Sequence, residues 1–166
     1  MEERPKLKLV LTNTDTIIEI VGWFLIVAVW GFTLSNYQSL PNTIPIHYNG
    51  AGVADGFGDK WIILTLPFIA TVIFVGLTVL NKYPHIFNYP TAITKDNALS
   101  QYRNATRLIR YLKVIIVVIF GLIAYQTISQ ANELSEGLGI WFLPLILGLV
   151  FMPIIFYLIR SARSQR

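Results

Sequence analysis

The sequence predicts an all-α integral membrane protein with four transmembrane helices and both termini in the cytoplasm, built as a single membrane domain over residues 1–166. Hydrophobic residues make up 54% of the chain and charged residues only 13%, well below the quarter that is typical of soluble domains. The apolar residues form four long blocks, and the basic residues flank those blocks. The basic residues behind the net charge of +4 are therefore explained by the orientation of the spans in the membrane, and we expect no nucleic-acid partner.

Four segments approach the length needed to cross a bilayer. A helix needs about 20 residues to span about 30 Å of hydrocarbon, and it satisfies its own backbone hydrogen bonds, as lipid requires. The first segment is longer than the apolar core of a signal peptide, and no small-residue cleavage pattern follows it, so we expect it to be retained. The expected spans are residues 17–34, 61–80, 111–128 and 138–159.

The basic residues predict the direction of these spans. Of the thirteen Lys and Arg residues, all but Lys60 lie before the first span, between the second and third spans or in the first turn of the third, or after the fourth. Cytoplasmic segments carry the excess of positive charge, which predicts an N-in/C-in topology with the loop at residues 35–60 outside the cell. We expect the location to be the cytoplasmic membrane of a bacterium.

The connection at residues 81–110 predicts a basic cytoplasmic helix that runs without a break into the third span. Thr94 or Asp96 is suited to cap its start. Three arginines recur at a spacing of three to four residues, so they share one face. We interpret this face as an ordinary solvated basic turn that stabilises the topology, with contact to anionic lipid or a cytoplasmic partner as the alternative. The arginines are Arg103, Arg107 and Arg110.

The outer loop at residues 35–60 differs from the other connections in its glycine, proline and polar content. Four glycines allow sharp turns or a close approach of the backbone to a ligand, and two prolines stiffen its beginning. We expect this Pro/Gly-rich loop to be the ligand-binding part of the chain. The residues expected to bind a ligand or to structure the loop are Pro41, Pro45, His47, Asn49, Gly52, Asp55, Gly58 and Lys60.

Residues 40–61 resemble the bacterial membrane domain of unknown function found at the N-terminus of SdpI-type toxin-immunity proteins. Residues 87–102 also resemble that family, so the similarity reaches across the first three spans. The resemblance implies a role in toxin immunity or envelope signalling. The residues that match the pattern of the outer loop are Leu40, Pro41, Ile44, Pro45, His47, Gly52, Asp55, Gly58 and Lys60.

His47 is the loop residue with the widest chemical range, because imidazole binds metals and exchanges protons near neutral pH. The other histidine, His85, lies on the opposite side in the expected topology, and the chain has no cysteine. We therefore expect no metal site, no cofactor and no enzymatic activity. We interpret His47 as a hydrogen-bonding residue that holds the loop in place, with metal or proton chemistry as the alternative.

Glu19 is an acidic residue near the start of the first span. Thr16 precedes it by three residues, which is the spacing of a capping box, so we expect Glu19 to cap the first helical turn. An intramembrane proton carrier is the alternative, because a carboxylate in lipid is costly and often functional.

Two functions follow from these features. The first is a multi-pass membrane protein whose outer loop binds or senses an extracytoplasmic peptide or protein ligand, with a cytoplasmic partner or a second copy of the chain as a further contact. The second is a small transporter or transporter subunit, to which Glu19 and the prolines within the spans point.

Overall fold

The computed structural model describes residues 4–163 and is mostly helical. Four helical segments are long and apolar enough to cross a membrane. A two-stranded antiparallel hairpin lies between the first two of them, so the prediction of an all-α chain is wrong for this part of the outer loop. The elements are α1 (Asn13–Tyr37), β1 (Thr43–Tyr48), β2 (Ala54–Asp59), α2 (Thr65–Leu80), α3 (Ala98–Ala131) and α4 (Phe142–Arg163), with short 3₁₀ turns at Lys60–Leu64 and Pro84–Ile86.

The first helix begins one turn earlier than the sequence predicts. Thr12 is the N-cap, and its side chain and that of Asp15 each accept a hydrogen bond from the other's backbone N–H, which makes a complete capping box. The expected capping box of Thr16 and Glu19 is therefore wrong. Glu19 lies almost two turns inside α1 and makes other contacts.

The third helix is continuous over 34 residues, which confirms the prediction that the basic segment runs into the third span. The expected caps at its start are wrong, because Asn97 occupies the N-cap position. Asn97 and Thr94 exchange hydrogen bonds instead, with the Asn97 side chain accepting from the Thr94 backbone at 2.9 Å.

The packing is centred on α3, which contacts α1, α2, α4 and β1. A buried cluster of Ile26, Ala70, Phe74 and Val117 joins the first three helices. At Gly22 of α1, an added Cβ would lie 2.5 Å from the Phe74 ring, so the absence of a side chain lets this ring fill the space between the helices.

The fourth helix packs mainly against α3, and most of its apolar side chains are exposed. Its polar attachment is a reciprocal pair in which Gln101 Nε2 donates to the Ser161 carbonyl and Ser161 Oγ donates to Gln101 Oε1 at 2.6 Å. Exposed apolar helix faces of this kind are expected where lipid is the solvent.

Candidate functional site

The predicted outer loop folds as a hairpin, in which Ile44 and Pro45 of β1 are buried and a turn after β1 reverses the chain. The two strands pair antiparallel with Ile44 opposite Gly58 and His47 opposite Gly56. Register shifts on either side of His47 interrupt the ladder. Such bulges reorient side chains locally, and here they flank the residue with the widest chemical range.

The tip of the hairpin is fixed by one asparagine side chain and by two close glycine contacts. Asn49 Oδ1 accepts hydrogen bonds from the backbone N–H groups of Ala51 and Val53, at 2.9 and 3.1 Å. Gly52 has a φ of +77°, and an added Cβ would lie 2.5 Å from the backbone of Gly139. The Leu138 N–H donates to the Gly52 carbonyl at 2.9 Å. The tip therefore docks on the segment between α3 and α4.

The strands of the hairpin are also attached to the helices, by one polar contact next to the tip and by apolar contacts beneath the strands. Tyr48 Oη lies 2.9 Å from Thr127 Oγ1 of α3. Burial raises the pKa of the Tyr48 phenol above its ordinary value, and the hydrogen bond with Thr127 opposes that rise. Beneath the strands lies a buried apolar floor, which consists of Leu40, Ile44, Ile63 and Ile128. The hairpin is thus held as part of the bundle rather than as a free loop.

The exposed polar feature of this hairpin is the pair formed by His47 and Asp55. His47 Nδ1 lies 2.5 Å from Asp55 Oδ1, and the two side chains are 72% and 44% exposed. An added Cβ at Gly56 would lie 2.9 Å from the His47 Cβ, so a side chain at this position would crowd the histidine. When Asp55 is ionised, Nδ1 must carry the proton of this bond, which leaves Nε2 of the imidazole free to meet a ligand.

The other predicted loop residues shape the hairpin. Gly58 leaves room for Ile46 of β1, because a Cβ added at Gly58 would lie 2.7 Å from the Ile46 Cδ1. Lys60 Nζ donates to the Leu40 carbonyl at 3.3 Å and lies over the ring of Tyr37. Pro41 is exposed just before β1. Participation of any of these residues in ligand binding stays a prediction.

The three arginines of α3 do not form one exposed face, which corrects the expected arrangement. Arg103 is exposed, whereas the side chain of Arg107 is 23% exposed and that of Arg110 only 8%. Arg107 Nε donates to Asp15 Oδ1 at 3.0 Å, so the charge of Arg107 is met within the chain. A contact of α3 with lipid headgroups or a partner stays a prediction, carried now chiefly by Arg103.

A second polar site lies between α1 and α3, and sequence reasoning missed it. Glu19 accepts a hydrogen bond from Arg110 Nε at 3.1 Å and from Lys113 Nζ at 2.5 Å. Lys113 is fully buried, donates also to Thr78 Oγ1 and lies 4.3 Å from the centroid of the Phe74 ring. The signal was present in the matched spacing of acids on α1 and bases on α3, but it required knowing that the helices lie side by side.

Among residues 4–163, no group of three or more His, Asp or Glu side chains lies close enough to hold a metal ion. His47 and Asp55 alone would offer two ligands, fewer than the three protein ligands of the usual catalytic zinc site.

Part of the chain matches a family model, and most of it is similar to one other protein. Residues 24–71 match a family model described as "Domain of unknown function (DUF1648)". The matched part runs from the middle of α1 through the hairpin into α2, and it agrees with the resemblance of residues 40–61 to a domain of unknown function. An uncharacterized protein of Archaeoglobus fulgidus is 24% identical over 169 residues, covering 94% of this chain and 92% of that protein. No solved structure matches the chain.

Proposed function

We propose that this chain is a multi-pass membrane receptor whose hairpin binds a peptide or protein ligand outside the cell. The observation that supports this function best is the hairpin geometry: the tip, Tyr48 at the end of β1 and the apolar floor all attach the hairpin to the bundle, and the His47–Asp55 pair is exposed beside the tip. A polar pair held in place before binding loses little freedom when a ligand arrives, which favours recognition.

The surface next to the pair suits a peptide with both polar and apolar groups. Within residues 4–163, neither His47 Nε2 nor Asp55 Oδ2 makes a hydrogen bond, so an acceptor or a donor of a ligand can meet each of them. Phe57 of β2 is 61% exposed and Val53 at the tip is 53% exposed. Exposed apolar side chains beside polar groups are typical of surfaces that bind other proteins.

The proposed direction of the chain and the resemblance to SdpI-type proteins narrow the ligand class. The excess of Lys and Arg at the opposite end of the bundle supports an outward-facing hairpin. Resemblance to a toxin-immunity family favours a peptide toxin as the ligand. In this proposal the hairpin captures the toxin at the membrane surface, and the helices keep the hairpin there.

The test measures survival of toxin-sensitive bacteria that express this chain and are challenged with the peptide toxin neutralised by SdpI-type proteins. We expect the wild-type chain to protect the cells and His47→Ala and Asp55→Asn to lose protection at equal amounts of inserted protein. Asp59→Asn is the matched control, because Asp59 is an exposed acid at the end of the same strand and caps no helix through its side chain. Absence of protection by the wild-type chain, or an equal loss in the control, would count against the proposal.

Transport is a second candidate, and one observation favours it. Glu19 lies within the first apolar helix and contacts the fully buried Lys113. It also lines a cavity between the start of α1 and the end of α2. Intramembrane carboxylates often mark ion or proton paths. Proton or ion flux into vesicles that contain the purified chain, lost in Glu19→Gln at equal amounts of folded protein, would support transport, and absence of flux in the wild type would remove it.

A further inference from the structure

The segment before α1, residues 4–12, forms a strap without helix or strand structure. Arg4 fixes the start of this strap to the segment between α2 and α3. Its Nη1 donates to the backbone carbonyls of His85 at 3.2 Å and Phe87 at 2.6 Å. The guanidinium also lies 5.7 Å from the centroid of the Tyr89 ring. The strap is therefore attached at a point 81 to 83 residues further along the chain.

The other end of the strap is Thr12, which is held by the N-cap of α1 and by a hydrogen bond from Arg107 at 3.0 Å. Between the two ends, residues 5–11 make no hydrogen bond to another residue in the part of the chain that the structure describes. Release of Arg4 would thus leave Thr12 as the one polar attachment of the strap among these residues.

The strap forms one wall of a cavity of about 440 Å³. Glu19 and Arg110 line the same cavity, yet their side chains are only 20% and 8% exposed. Glu19 also contacts the fully buried Lys113. The strap residues on the cavity are Leu7, Lys8, Leu9 and Leu11. An apolar segment fixed at its two ends therefore lies beside the acid–base site of Glu19, Arg110 and Lys113.

We propose that the strap is a lid that controls the access of water and small polar solutes to this acid–base site. While Arg4 holds the carbonyls of the segment after α2, the strap closes one side of the cavity. When Arg4 is released, residues 5–11 swing about Thr12, and the cavity becomes an open cleft. This role goes beyond the receptor function of the hairpin and does not depend on it.

The test measures access to the cavity with a single introduced thiol, because the chain has no native cysteine. Thr78→Cys places this thiol on the cavity. The full chain is held in lipid nanodiscs, where both faces meet solvent, and a water-soluble methanethiosulfonate reagent is added. Mass spectrometry follows the rate of labelling. If the thiol reacts while the strap is open, the rate reports the open fraction.

Arg4→Gln in the Thr78→Cys chain should raise the labelling rate about five- to tenfold, which corresponds to the loss of about one net hydrogen bond. Lys6→Gln is the matched control, because it makes the same charge change at an exposed strap residue that does not line the cavity. We expect Lys6→Gln to leave the rate unchanged. An unchanged rate in Arg4→Gln, or an equal rise in Lys6→Gln, would overturn the role of Arg4.

A second cysteine position separates opening of the lid from general loosening of the bundle. Thr71 lies on the same helix as Thr78 but does not line the cavity. Arg4→Gln should leave the labelling rate of Thr71→Cys unchanged, and an equal rise at both cysteines would overturn the lid. If Thr78→Cys does not fold, Asn81→Cys takes its place, since Asn81 lines the same cavity and is 8% exposed.

A spin label on the strap measures the movement itself. Val10 is 84% exposed and does not line the cavity, so a label at Val10→Cys reports strap mobility without filling the space. We expect Arg4→Gln to narrow the electron paramagnetic resonance lines of this label, as faster motion does. Lines that stay unchanged while labelling in the cavity accelerates would overturn the strap as the moving part.

Discussion

Replacing Glu19 with glutamine removes the negative charge that faces the fully buried Lys113. In the wild type the Lys113 ammonium has three neighbours: Glu19 Oε2 at 2.5 Å, Thr78 Oγ1 at 2.7 Å and the Phe74 ring at 4.3 Å. After the substitution, the ammonium keeps the hydroxyl and the ring, but its charge is no longer balanced. Removing one partner of a buried ion pair is destabilising because the other charge stays in a poorly solvated place.

The size of the effect follows from the contacts. Glu19 accepts two charge-assisted hydrogen bonds, from Lys113 and Arg110, and each is worth about 1.5–3 kcal/mol. The amide that replaces the carboxylate still accepts one bond, and Arg110 lies 3.8 Å from Asp15, which keeps part of its charge paired. We therefore expect Glu19→Gln to lower the free energy of unfolding by about 3 kcal/mol, at the lower end of the range of about 3–5 kcal/mol for broken buried pairs.

A second variant, Lys113→Met, removes the other partner of the ion pair. Methionine keeps most of the apolar contact with the Phe74 ring, and Glu19 keeps Arg110 as its partner. We therefore expect the free energy of unfolding to fall by only about 1–2 kcal/mol. The double variant should be close to Lys113→Met alone, which corresponds to a coupling energy of about 3 kcal/mol between the two positions.

The assay is reversible unfolding of the purified chain in mixed micelles, followed by circular dichroism over a series of denaturing detergent fractions. Glu136→Gln is the control, because Glu136 is exposed and makes no ion pair among the described residues. Strict additivity of the two single variants, or a loss in Glu136→Gln as large as that in Glu19→Gln, would refute the reasoning from the buried pair.

Three further predictions concern the hairpin and the direction of the chain. Gly52→Ala should make the hairpin tip accessible to protease and lower the melting temperature, because the left-handed backbone and the contact with the neighbouring segment exclude a Cβ. Gly50→Ala, with nothing within 4 Å, should do neither. Tyr48→Phe should lower the free energy of unfolding by about 1 kcal/mol at neutral pH, because the phenol of Tyr48 no longer hydrogen-bonds to α3. Because folding raises the pKa of the phenol, its contribution to stability is complete below about pH 10 and is lost as the pH rises further. The melting temperature of the variant should therefore fall less at alkaline pH than that of the wild type. In whole cells a membrane-impermeant thiol reagent should label Asn49→Cys but not Arg103→Cys, since the chain has no native cysteine, and the reverse pattern would invert the proposed topology.

The sequence predicts the helices well because lipid imposes a simple rule: a long apolar block with little charge becomes a helix that satisfies its own backbone. The hairpin was harder to predict. Its β1 contains Pro45, and its β2 contains two glycines and two aspartates among six residues, and all three residue types are unfavourable in strands. The strands are stabilised instead by the apolar floor beneath them, a contact between residues far apart in the sequence.

The candidate site was predictable in the same uneven way. His47 and Asp55 stand out because polar residues concentrate in one short loop, but their direct contact depends on the register of the hairpin. The pairing of Glu19 with Lys113 was not predictable from local spacing. The match of Thr16 and Glu19 to a capping box suggested a local partner, whereas the true partner lies 94 residues away on another helix.

The length of α3 has a mechanical consequence. At about 1.5 Å per residue its 34 residues reach about 51 Å, well beyond the thickness of about 30 Å of the hydrocarbon layer. One end carries the hydroxyl that meets Tyr48, and the other carries the arginine that meets Asp15. The helix has no proline along its length, so we expect it to move as one rigid body. A displacement that tilts α3 at the hairpin would then also shift its ion pair with Asp15 of α1.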